Sequence, residues 1–118
     1  MSLDLTALSK LGGFMGGCII DRDTGMMLSS IGGDTGLDLE LAGALSADIV
    51  NAQQASIDML ELHEAIEDVL VSLAEQYHLM RPLHDDPALF IYVVLDRTRA
   101  NLAVARIKLK AVEAKVSI

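Results

Sequence analysis

Residues 88–96 read ALFIYVVLD, and positions 89–95 within them form an uninterrupted apolar run. A strand with one face in water alternates apolar and polar residues. An unbroken run rich in β-branched and aromatic side chains is instead typical of a strand covered on both faces. At roughly 3.3 Å per residue the run spans about 23 Å, the width of a small domain. The sequence therefore predicts a central strand with helices above and below it.

Length and composition set the class of protein. The 118 residues, 52% of them hydrophobic, predict one folded domain over residues 1–118. No apolar run approaches the ~20 residues that a membrane span needs, and no secretory signal pattern opens the sequence. Cys18 is the only cysteine, which excludes an internal disulfide and a Cys₄ zinc site. A cytoplasmic protein is expected.

Charge is distributed unevenly along the chain. Residues 23–80 hold eleven acidic residues and no Lys or Arg, while the remaining residues hold nine basic and six acidic ones, for a net charge of −8. Phosphate backbones would be repelled by half of this chain, and aromatic residues that stack on bases make up only 3%. No nucleic-acid partner is expected.

Periodicity and turn residues predict an α+β fold in the order α-β-β-α-β-β-β-α. Because the strands follow one another in hairpins and helices are few, we expect a five-stranded antiparallel sheet between helical layers. The predicted elements are a short helix over 3–11, strands over 18–21 and 26–31 joined by a turn at 22–25, a long helix over 37–60, strands over 66–73, 77–83 and 88–96, and a last helix over 96–116.

The long helix carries two apolar faces, where a surface helix ordinarily has one. The broad face holds Leu41, Leu45, Ile49, Ala52, Met59 and Leu60. The second ridge holds Leu39, Gly43, Val50 and Ile57. A domain of this length has little left to cover the second face, so the pattern predicts self-association through this helix.

Several stretches imitate catalytic or ligand sites without completing them. The glycine-rich LGGFMGGC at 11–18 lacks the Lys-Ser/Thr of a phosphate loop and precedes a strand, so turn or bulge glycines are the better interpretation. His63 and Glu67 supply two zinc ligands where a closed site needs four.

The remaining candidates are also incomplete. Asp21, Asp23 and Gly25 begin like a calcium loop but end after five residues. Residues 84–87 (HDDP) have ordinary turn chemistry. Cys18 lies among apolar neighbours, which predicts a buried and inert thiol. We therefore expect no catalytic, cofactor-binding or metal-binding residues.

The last helix has a basic outer face. A solvated face is the simplest interpretation, and an acidic partner or anionic lipid is the alternative. Its core stripe is predicted to be Leu102, Ala105, Leu109, Val112 and Val116, with a lesser stripe of Ala100, Val104, Ile107 and Ala111 against the first helix. The outer cations are Arg99, Arg106, Lys108, Lys110 and Lys115.

The order of elements resembles that of the Roadblock/LC7 family, which includes dynein light chain roadblock and bacterial MglB-like regulators of Ras-like GTPases. The similar stretches are GCIIDRDTGMMLSS (17–30), the long helix with its Ala-Gly-Ala, IEDVLVSLAEQYHLMRPL (66–83) and LFIYVVLDRTRANLAVARIKL (89–109). The resemblance covers about residues 10 to 116. The first helix is shorter than is usual in that family.

The resemblance implies a profilin-like fold that dimerises through the long helix and the third strand, with the paired helices forming a platform for a Ras-like small GTPase. The implied dimer interface is Leu41, Leu45, Ile49, Val50, Ile57, Val69 and Val71. The implied partner platform is Glu40, Ala44, Ala47, Asp48, Asn51, Gln54, Ala55 and Asp58.

On this basis we expect a homodimeric, non-enzymatic regulator or scaffold. The long helix holds no Lys or Arg and so cannot itself supply an arginine finger to a GTPase. One alternative is a scaffold subunit of a larger motor or signalling complex that binds no GTPase. Another is a small-molecule sensor, which is disfavoured because no polar cluster is expected to converge in the apolar core.

Overall fold

The computed structural model describes residues 2–33 and 36–117. It confirms the predicted α+β class and the five-stranded antiparallel sheet. The elements, in chain order, are a 3-10 helix (Thr6–Lys10), β1 (Phe14–Asp21), β2 (Met27–Gly32), α1 (Leu39–Met59), β3 (Val69–Ser72), β4 (Gln76–Pro82), β5 (Leu89–Asp96) and α2 (Leu102–Lys115).

The sheet order is β2-β1-β5-β4-β3, with every neighbouring pair antiparallel. β5 is therefore the middle strand, and its residues from 89 to 95 are all buried. This confirms what the apolar run predicted.

Alternation along β5 divides the interior into two cores. Ile91 and Val93 belong to a core shared with α2 and the 3-10 helix. Phe90, Tyr92 and Val94 belong to a core shared with α1. Each helical layer thus covers its own face of the sheet, as an uninterrupted apolar strand requires.

The N-terminal element is a 3-10 helix and not the predicted α-helix. Its backbone bonds run from the Leu8 N–H to the Leu5 carbonyl and from the Leu11 N–H to the Leu8 carbonyl. So short a segment gains too few hydrogen bonds to offset α-helix nucleation. Gly13, at φ +77°, then turns the chain into β1.

β1 starts four residues before the predicted strand, so Gly16 and Gly17 lie inside it. A Cβ on Gly16 would be 3.0 Å from the Leu39 side chain, and the pairing with β5 shifts register between Phe14 and Gly16. The predicted bulge is therefore present, together with a close approach of the Leu39 side chain that a larger residue at Gly16 would obstruct.

β3 is shorter than the predicted strand over 66–73. Its register pairs Val69 with Met80, so two further steps would place Glu67 opposite Pro82. Proline has no N–H for the ladder, and the Asp68 carboxylate instead accepts two hydrogen bonds from Arg106.

Both long helices begin at a side-chain cap. Asp38 caps α1 by accepting the Leu41 N–H at 3.0 Å. Asp34 and Thr35, which precede this helix and have side chains of the kind that cap helices, lie outside the described residues. α2 starts later than predicted because Asp96 and Thr98 form a hydrogen-bonded turn, and Asn101 caps the helix at the Val104 N–H.

Candidate functional site

The ridge of α1 that faces the sheet is made largely of small residues. Gly43 lies so close to β1 that a Cβ there would be 2.5 Å from Ile20 Cδ1. Ser46 and Ala47 are buried beside it, with Leu39 and Val50 at either side. The close approach of helix and strand depends on these small side chains.

This packing corrects two of the predicted site residues. Val50, expected at the dimer interface, is fully buried in the core of its own chain. Ala47, expected on the partner platform, is also buried there. A helical repeat shows which residues share a face, but with two apolar faces it does not decide which one meets the sheet.

The broad apolar face of α1 points away from the core. Leu41, Leu45 and Ile49 have between 40% and 57% of their surface exposed. Met59 and Leu60, at the helix end, are exposed still further. Contiguous exposed apolar side chains on one helix mark an interaction surface.

The position of α1 shows what lies beside this face. The helix packs on β1 and β2, and Asn51 Nδ2 donates to the Arg22 carbonyl in the β1–β2 turn at 2.9 Å. At 100° per residue, the opposite flank of the helix holds Ala42 and Ile49, with Leu45 next to it. Because the sheet continues from β1 through β5 to β4 and β3, that flank lies on the β4 and β3 side of the helix.

The sheet surface on that side is incompletely covered. Val69 and Val71 of β3 point to the α1 side and are only half-buried. Within the described residues β3 pairs with β4 alone, so its outer edge is open. Ile57, the last of the expected interface residues, is half-buried near the end of α1.

The remaining expected platform residues lie on the outer surface of α1 and on its flank toward the β1–β2 turn. Ala44 and Gln54 are half-buried, and Gln54 donates to the Asp58 carboxylate at 3.0 Å. The exposed ones are Glu40, Asp48, Asn51, Ala55 and Asp58. The platform is thus acidic and carries no cation.

A polar network under α1 was not predicted. Tyr92 Oη donates to His78 Nδ1 at 2.8 Å, and His78 Nε2 donates to Gln76 Oε1 at 2.8 Å. Ser46, buried nearby, donates to the Ala42 carbonyl. The expectation that no polar cluster converges in the core is therefore wrong. Adjacent strand registers bring Tyr92 and His78 together, and no spacing along the chain signals this contact.

The network is neutral and satisfied. Burial lowers the pKa of His78 and raises the pKa of Tyr92 to about 12. Among the described residues no buried side-chain nitrogen or oxygen lacks a partner. The network therefore stabilises the domain and leaves no buried polar atom unpaired in the described residues. Cys18 is buried, as predicted, and burial raises its pKa to about 12, so it is not a nucleophile.

An open cleft of about 1000 Å³ lies at the end of the sheet near the β1–β2 turn. Arg81 is buried in its wall and paired with Glu113 at 2.7 Å. Both positive and negative groups, among them Arg22, Lys110 and Glu64, surround the cleft.

In residues 2–33 and 36–117 no group of three or more His, Cys, Asp or Glu side chains is placed to hold a metal ion. In that same part of the chain no helix is long and apolar enough to cross a membrane.

The architecture is that of a small α+β domain, an antiparallel sheet between helical layers, with an open sheet edge beside an exposed helical face. It is the Roadblock/LC7 fold. A Roadblock/LC7 domain from Streptomyces avermitilis superposes with a TM-score of 0.81 at 14% identity, covering 93% of this chain and 88% of that one. Myxococcus xanthus MglB gives 0.77 at 18% identity, covering 91% and 83%.

The gliding protein MglB from Thermus thermophilus gives a TM-score of 0.74 at 18% identity, covering 91% of this chain and 77% of that one. The sequence matches no family model and no curated protein. The structural matches therefore establish the fold, as the sequence resemblance predicted.

Proposed function

We propose that this chain is a homodimeric regulator or scaffold that binds a Ras-like small GTPase through paired α1 helices. The observation that carries the proposal is the exposed face of Leu41, Leu45 and Ile49 beside the half-covered β4–β3 surface. A second α1 placed against this face would cover both at once.

The open edge of β3 supports the same arrangement. An unpaired edge strand tends to pair with another chain, and a twofold axis lets the same strand of a second copy do so. Val69 and Val71 would then lie under the partner's helix. The interface we propose is Leu41, Leu45, Ile49, Ile57, Val69 and Val71.

The proposed partner surface is the acidic side of the paired helices. It holds Glu40, Asp48, Asn51 and Asp58, with Ala55 allowing close approach. Because α1 has no Lys or Arg, any effect on GTP hydrolysis would act by reshaping the switch loops of the GTPase. A cytoplasmic location belongs to the proposal, and the chain itself would have no catalytic role.

The dimer is tested first. Ile49→Asp places a carboxylate in the proposed interface and should give the monomer mass in light scattering. Ile107→Asp is the matched control, because Ile107 is even more exposed but lies on α2, on the other face of the sheet. Measured at high salt, the Ile107→Asp variant should have the same mass as the unmodified chain. Equal masses for the two variants would refute the interface.

Partner binding is tested by affinity capture on the immobilised chain with GTPγS or GDP added. A GTPase retained only with the GTP analogue, and lost with Asp48→Lys, would support the regulator. Asp85→Lys makes the same charge change in the exposed β4–β5 turn and should retain the partner. Capture of other proteins without any GTPase would refute the regulator and leave the scaffold of a larger complex.

A further inference from the structure

The outward side of α2 is an exposed apolar stripe between two rows of cations. Ile107 has 72% of its surface exposed and Val104 51%, which corrects the prediction that they pack on the N-terminal helix. The exposed Ala103, Ala111 and Ala114 extend the stripe along the helix. This is not the purely solvated basic face expected from the sequence.

Of the four cations beside the stripe, the three lysines are available for a partner. Turning 100° per residue places Lys108 and Lys115 on one side of Ile107, and Arg106 and Lys110 on the other. Arg106 is paired with Asp68 at 3.0 Å. Within the described parts of the chain the three lysines form no ion pair.

The charge of the whole chain favours a protein over a lipid surface. Each Lys near an anionic membrane contributes a modest attraction, which must overcome a net charge of −8 on the same small molecule. Two exposed apolar side chains would also bury little apolar surface in a bilayer. The stripe is instead matched to an acidic helix that carries small and apolar residues.

Such a helix is present on the opposite layer of the same fold. The outward surface of α1 holds Glu40 and Asp48, has no cation, and presents Ala52 and Ala55 to solvent. α1 is about 32 Å long and α2 about 21 Å, so one can lie along the other. Charge and residue size are both complementary.

We infer that the outer face of α2 docks on the acidic outer face of α1 in a second copy of this chain. Because the two faces lie on opposite sides of the sheet, the contact is heterologous and repeats, giving stacked assemblies rather than a closed pair. This inference rests on the proposed function in one respect, because the unit that stacks is the proposed dimer. The acidic face of α1 that α2 would cover overlaps the proposed platform for the GTPase.

Sedimentation velocity of the full chain tests this inference. At about 20 mM salt the mass should exceed that of the dimer and grow with protein concentration, and at about 500 mM salt it should return to the dimer, because screening shortens the range of the attraction. Ile107→Asp, or Lys108→Glu with Lys110→Glu, should weaken stacking at least about tenfold. Lys10→Glu makes a like charge change on the 3-10 helix and should stack normally.

A charge exchange identifies the two faces. A chain with Glu40→Lys and Asp48→Lys should not stack alone, nor should Lys108→Glu with Lys110→Glu, but an equimolar mixture of the two should stack. Failure of the mixture, or stacking that resists high salt, would overturn the inference.

Two further outcomes would overturn stacking. One leaves the proposed dimer standing, and the other assigns the outer face of α2 to lipid. Dimer mass at every salt concentration, with Ile49→Asp still giving monomers, would overturn stacking and leave the proposed dimer standing. Binding of phosphatidylserine vesicles by a chain that does not stack would also overturn it, and would assign the face to lipid.

Discussion

The buried ion pair between Arg81 and Glu113 links β4 to α2. Arg81 Nε lies 2.7 Å from Glu113 Oε1, and the two side chains are only 11% and 12% exposed. The other carboxylate oxygen of Glu113 accepts the His84 N–H at 3.2 Å. Glu67 lies 3.9 Å from Arg81 Nη1 but is largely in solvent, so it cannot replace Glu113.

Replacing Glu113 with alanine should therefore destabilise the domain strongly. It leaves a buried guanidinium without a close counter-charge, for which about 3–5 kcal/mol is expected. That is a large share of the ~5–15 kcal/mol that holds a typical domain together. With a urea m-value of about 2 kcal/mol/M, the unfolding midpoint should fall by roughly 2 M.

Urea unfolding followed by circular dichroism measures this change against a matched pair. Asp68→Ala removes the partner of Arg106, whose side chain is 43% exposed, and should cost no more than about 1 kcal/mol. Arg81→Met with Glu113→Leu should recover most of the loss, because no charge is then buried. If Glu113→Ala costs no more than Asp68→Ala, the reasoning about burial is refuted.

Three further changes test the core, a turn and a titrating group. Ile91→Ala, at the centre of β5, should cost about 2–5 kcal/mol in urea unfolding, while Ile107→Ala on the surface should cost almost nothing; equal costs would contradict the assigned core. Gly13→Ala should cost at least about 2 kcal/mol, because its φ is +77° and its Cβ would lie 2.6 Å from the Asp96 carbonyl; Gly36→Ala, also at positive φ but in open space, should cost less. The lowered pKa of His78 means that the unfolded chain takes up the proton first, so its contribution to stability should fall as the pH drops below about 6.5. His78→Gln should flatten that dependence, and an unchanged profile would contradict it.

The features that the sequence predicted well are those set by local pattern. An unbroken apolar strand has only one place in a layered fold, so β5 was placed correctly at the centre. The predicted long helix over 37–60 became Leu39–Met59, because its apolar period and the Asp38 cap are both local signals. The 22–25 turn likewise followed from its glycine.

The features that were missed depend on pairing across the sheet or between layers. Glu113 is 32 residues from Arg81, and Tyr92 is 14 residues from His78. Neither separation corresponds to a helix or strand repeat that would indicate a contact between the two residues. The short β3 could be explained only once its register had placed Pro82 opposite Glu67.

The rotation of α1 is the clearest case, and it bears on function. A helix that served only its own domain would turn its large apolar residues toward the sheet. Here Gly43, Ser46 and Ala47 face the sheet while Leu41, Leu45 and Ile49 remain outside. The small residues let the helix settle close to β1, where larger side chains would hold it away. The large ones are left where only another molecule can cover them. An isolated chain gains only part of the burial energy that these side chains could supply, so this distribution is the strongest physical reason to look for the dimer first.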